Sequence, residues 1–166
     1  MVDVRDPLNP KFVGCFGQDG YVHDAQCVIY KGPDADYQGR EICFCYNENT
    51  LTIVDVEDKD NMKMLSKMPY DNVYYTHQVP QYLINGNTNH ASVIILYQNR
   101  CICKRFQGWL TEDQTYLLLN DELDEVNGPN PHTRSLIWNV EDLDKPELKA
   151  SFYSSQQATD HNLYVK

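Results

Sequence analysis

Three of the five histidines keep similar company. They occur in Gly20-Tyr21-Val22-His23-Asp24, in Tyr74-Tyr75-Thr76-His77-Gln78 and in Ala158-Thr159-Asp160-His161-Asn162. A neutral imidazole offers one lone pair to a metal and one N–H to an anion or carbonyl. Imidazoles converging from successive structural units can therefore hold Zn²⁺ or an anionic ligand. Asp24, Gln78 and Asp160 would add oxygen or amide contacts beside them. The candidate ligand-binding set is His23, Asp24, His77, Gln78, Asp160 and His161. The same recurrence also suits packing, in which each ring hydrogen-bonds the backbone of a neighbouring unit, and both readings stand at this point.

A second group is acidic. Asp121-Glu122-Leu123-Asp124-Glu125 puts four carboxylates in five residues. Like charges so close repel unless a cation or cationic partner relieves them, and hard oxygen ligands suit Ca²⁺. The candidate metal set is thus His23, His77, His161, Asp121, Glu122 and Asp124, with a divalent cation, Ca²⁺ or Zn²⁺, as the cofactor. The spacing is not that of a twelve-residue EF-hand loop. A solvated acidic turn is the alternative, as is pairing with His132 and Arg134 just downstream. No serine stands in a nucleophile context, and neither a phosphate-binding loop nor a dinucleotide fingerprint is present.

The elements that position these groups follow from an internal repeat. Val2-Asp3-Val4-Arg5-Asp6, Val54-Asp55-Val56-Glu57-Asp58 and Trp138-Asn139-Val140-Glu141-Asp142 each run an alternating apolar stretch into an acidic turn. A second strand-like segment follows each, and then the histidine. From the first residue of each motif to its histidine lie 21, 23 and 23 positions. A period near 50 residues with about four short strands is the signature of a propeller blade rather than a helical solenoid. The predicted strands of one blade are 23–30, 41–46, 51–56 and 63–68. Those of the next are 75–78 continued at 108–110, then 116–119, 135–140 and 148–153. Segments 1–4 and 11–16 would close a preceding blade, and 161–165 would open a following one.

The expected fold is all-β: a β-propeller fragment of four-stranded antiparallel blades, about two full blades plus flanking strands. Residues 1–20 end a preceding blade, 21–70 form one, 71–154 form another with an insertion at 79–107, and 155–166 start the next. A β-sandwich is the runner-up. Two blades do not close a ring, so missing blades are expected from a longer chain.

Composition narrows the partners. The 166-residue chain carries a net charge of −10, with no basic stripe to neutralise phosphates, which argues against nucleic acid. No apolar run of about 18 residues marks a membrane span, and the first residues lack a signal-peptide pattern. Six cysteines occur without zinc-site spacing. Cys43 and Cys45, and Cys101 and Cys103, fall pairwise on one side of a strand. Buried thiols and disulfides both remain open.

The stretches VDVRDPLNPKFVGCF, GYVHDAQCVIYKGPD, NTLTIVDVEDK, GWLTEDQTYLLLNDELDE, HTRSLIWNVEDLDKPEL and DHNLYV resemble the choice-of-anchor B family of LVIVD-repeat proteins. The resemblance covers nearly all of the chain outside 79–107. It implies a propeller fold and an extracellular or cell-surface setting, and it carries no established chemistry. In that family YTHQ runs directly into GWLTEDQ. Here Val79–Gln107 intervene, with no Asp or Glu, and read as a translated intron, because Val codons begin with GT and Gln can be CAG. A true surface-loop insertion is the alternative.

Three functions follow as expectations. The first is a binding or scaffold module whose partner is an unidentified ligand or surface protein. The second is a metal-dependent propeller hydrolase using the histidines and the acidic loop. The third is a truncated, intron-retaining product with no independent function.

Overall fold

The computed structural model describes residues 1–47, 49–70, 106–121, 130–159 and 163–165. Ten strands occur among them: β1 (Val2–Asp3), β2 (Lys11–Phe12), β3 (Val22–Ile29), β4 (Glu41–Asn47), β5 (Thr50–Asp55), β6 (Lys63–Pro69), β7 (Phe106–Leu110), β8 (Tyr116–Asp121), β9 (Arg134–Asn139) and β10 (Glu147–Tyr153). No described residue is helical. The strands form a two-stranded sheet β1-β2 and two four-stranded antiparallel sheets, β3-β4-β5-β6 (sheet one) and β7-β8-β9-β10 (sheet two).

The acidic motifs build one hairpin three times. Asp3 pairs with Lys11, Asp55 with Lys63 and Asn139 with Glu147, the same eight-residue offset in each case. The side-chain oxygen of Asp3, Asp55 or Asn139 accepts the backbone N–H two residues on at 3.0 Å. Asp6, Asp58 and Asp142 then do likewise for Leu8, Asp60 and Asp144. Short acidic and amide side chains are suited to this, because they satisfy turn N–H groups that no ladder reaches. The outermost strands match too. Each carries a bulge, at Leu65 in β6 and at Lys149 in β10.

Burial explains the hydropathy of the strands. In β4 and β5 nearly every residue is buried, because both faces of sheet one are covered. Their largely apolar runs, Ile42-Cys43-Phe44-Cys45-Tyr46 and Leu51-Thr52-Ile53-Val54, reflect that. In β9 burial alternates, as expected for one covered face. One face of sheet one (Ile42, Phe44, Tyr46, Leu51, Ile53) meets Leu110, Leu117, Leu119, Leu136 and Trp138 of sheet two in the main core. The opposite face (Cys43, Cys45, Val54, Val56) packs against Met1, Phe16 and Val22.

The first strands of the two sheets lie side by side. The Gln26 side chain accepts the Leu110 N–H at 2.8 Å, and that of Gln114 accepts the Lys31 N–H at 2.7 Å. Both contacts advance in the same direction along the chain, so β3 and β7 run alike. Their starts, the ends of β4 and β8, and the starts of β5 and β9 therefore share one rim.

Two expectations shift at their edges. β7 begins at Phe106, inside the stretch assigned to the insertion, because backbone pairing of Phe106 with Asp121 and Gln107 with Asn120 is indifferent to side-chain type. Leu163–Val165, the described part of the expected terminal strand, are not in a ladder; Tyr164 instead sets its ring edge-on to Trp109 at 5.0 Å.

Candidate ligand-binding site

The rim shared by the two sheets carries His23, Asp24 and Asp121. His23 is the second residue of β3 and falls at a register shift between Val22 and Asp24. A bulge frees its side chain from the strict in–out alternation of the ladder. The Tyr21 hydroxyl lies 3.3 Å from its Nδ1, with the ring centroids 6.1 Å apart. Asp24 is exposed, and its carboxylate accepts the N–H of Ala25. The pair thus presents an imidazole and a carboxylate on the open edge strand of sheet one.

Asp121 ends β8 and is 1% exposed. The Arg134 guanidinium, itself buried, lies 3.8 Å from it across the β8–β9 pair. A carboxylate held by a buried arginine has its charge already compensated, which favours the pairing alternative over a cation ligand for this acid. His132 donates its backbone N–H to the side chain of Asn130 and makes no described contact with the acids. His77, Gln78, Glu122, Asp124, Asp160 and His161 lie outside the described residues, as do Cys101 and Cys103.

A polar cluster that sequence reading passed over sits at the same rim of sheet one. The side chain of Asp19, in the connection before β3, is fully buried beside Lys67. It accepts bonds from Asn47 Nδ2 and Thr52 Oγ1, with Thr50 Oγ1 at 3.5 Å. Asn47 and Thr50 close the β4–β5 turn, the place that Asp121 and Arg134 hold between β8 and β9. Beside Asp19, Cys45 is pushed up to about 12, by burial first and the nearby carboxylate second. The tight Asn47-to-Thr50 turn was a signal for this cluster; the long-range partner Asp19 was not.

At the opposite rim the carboxylates of Asp34, Asp142 and Asp144 approach within 4.8 Å of one another. Each is engaged. Asp34 accepts the Leu143 N–H at 3.0 Å, Asp142 those of Asp144 and Lys145, and Asp144 the Tyr37 hydroxyl at 2.8 Å. The group ties the β3–β4 loop to the β9–β10 turn.

The cysteines divide. Cys27 and Cys43, directly opposed in the β3–β4 ladder, form a disulfide, while Cys15 is free and exposed and Cys45 free and buried. No family model matches the chain, and no match is found among curated proteins or solved structures.

Proposed function

We propose that this chain is part of a β-propeller of the choice-of-anchor B kind and works as an extracellular or cell-surface binding module. Its ligand seat is the rim that carries His23 and Asp24. The observation that carries the reading is the threefold hairpin: one offset, one pair of side-chain-capped turns and one order of strands at Asp3, Asp55 and Asn139. The side-by-side first strands support a shared axis. The disulfide supports an oxidising compartment. Sheet two's outer face, with Tyr116 39% exposed where sheet one has the fully buried Ile42, has the form of a surface that a further blade would cover.

Electron microscopy of the longest natural polypeptide containing these residues tests the architecture. A closed ring is the expected result, and an open stack of sheets overturns it. For the ligand seat, Zn²⁺ titrated into the folded chain is expected to bind, and His23→Ala to abolish that binding. Equal uptake by both proteins would assign His23 to packing alone.

A further inference from the structure

We propose that residues 79–107 are dispensable to the fold and that the chain suited to sheet two is a shorter form in which Gln78 joins Gly108. This rests on the reading of sheets one and two as successive copies of one unit. From Val2 to Val54 the motif recurs after 52 positions, and from Val54 to Trp138 after 84. Removal of the 29 residues Val79–Gln107 leaves 55. The removed stretch holds none of the chain's 24 acidic residues.

The register of β7 adds what sequence arithmetic lacks. Gln107 is paired with Asn120, and Gly108 with Leu119. In the shorter form Gln78 precedes Gly108, so the backbone position paired with Asn120 stays filled and the ladder of β7 has no gap to close. Residues after the junction hold β7 against the rest of the fold. Gly108 lies against the Tyr46 ring, Trp109 against Tyr164, and Leu110, 4% exposed, donates its N–H to Gln26. The junction is also bounded on its C-terminal side. Losing one residue more, Gly108, would set Gln78 opposite Leu119, where a Cβ would come 2.7 Å from the ring of Tyr46. A single-residue slip in a strand exchanges its two faces.

The test compares three proteins: the full chain, a deletion of 79–107 and a deletion of 79–108. The first deletion is expected to fold and to raise Tm by about 3–6 °C, because the connection into β7 shortens several-fold. The second is expected to fall below the full chain. If the deletion of 79–107 is unfolded, or melts as low as the deletion of 79–108, the inference is wrong. Neither deletion touches β3–β6, the acidic turns or the Cys27–Cys43 bond, so that failure leaves the propeller reading to its own test. Genomic DNA gives an independent reading. GT opening the Val79 codon, AG closing the Gln107 codon and a transcript lacking both support a retained intron; different nucleotides at either boundary remove that origin.

Discussion

Gly108 of β7 lies so close to Tyr46 of β4 that a Cβ there would sit 2.7 Å from the phenol ring. Tyr46 is 1% exposed in the core between the sheets and has little room to withdraw. Gly108→Ala is therefore expected to destabilise the chain by about 1–3 kcal/mol, the usual cost of overpacking. Urea unfolding measures it, and an unchanged midpoint would show that the two sheets separate more readily than the packing implies.

The Tyr46 hydroxyl is buried without a hydrogen-bond partner among the described residues. Burial drives its ionisation well above the ordinary tyrosine range, with Asp24 and Cys45 adding to it. A buried donor left unpaired is a cost, so Tyr46→Phe is expected to be neutral or to stabilise by up to about 1 kcal/mol. Tyr46→Ala, which empties the ring's place, should cost about 3–5 kcal/mol. Thermal unfolding of the two variants separates the ring's contribution from that of the oxygen.

Asp19 gathers Asn47, Thr50, Thr52 and Lys67 on one carboxylate. Asp19→Ala leaves buried donors unmatched, and a loss of about 1–3 kcal/mol is expected. The effect should be local as well. Hydrogen exchange should quicken in residues 13–22, which this carboxylate holds against sheet one, before it does in β8 and β9. Uniform quickening would deny the local role.

The disulfide closes a sequence separation of 16 residues between Cys27 and Cys43. Chain-entropy reasoning gives about 3 kcal/mol for a loop of that size. Reduction, or the double change to serine, should lower the urea midpoint accordingly. A midpoint indifferent to reductant would mean that the β3–β4 ladder needs no covalent support.

Cys45 and Cys15 should differ in reactivity. Only the thiolate reacts, and the Cys45 thiol is pushed up to about 12, so peptide mapping after alkylation at pH 8 should find Cys15 modified and Cys45 intact. Above about pH 9 the unfolded chain loses this proton while the folded chain keeps it. Cys45 therefore contributes a fall in stability with rising pH toward 12. Cys45→Ser should flatten that alkaline slope.

Much of the fold was legible because it is local. Alternation marked the strands, and Asp6, Asp58 and Asp142 announced turns whose hydrogen bonds span only two or three residues. The site was less legible because its partners are distant in the chain. Asp19 reaches Thr52 33 residues on. The Cys27–Cys43 pairing depends on register, which spacing alone left open. Asp121 could be read as a metal ligand among acids or as a partner of Arg134, and only the fold shows Arg134 3.8 Å away across the ladder. The ladder of β7 reaches two residues before Gly108, to Phe106, because an edge strand accepts almost any side chain in its backbone pairing.

The bulges at Leu65 and Lys149 interrupt the outermost strands, where Lys63, Lys67, Glu147 and Lys149 also place charge. A kinked, charged border is a poor template for an incoming chain, which disfavours lateral pairing through these margins. Contact through a broad side, such as the face of sheet two where Tyr116 is exposed, is left as the easier way for a further layer to join.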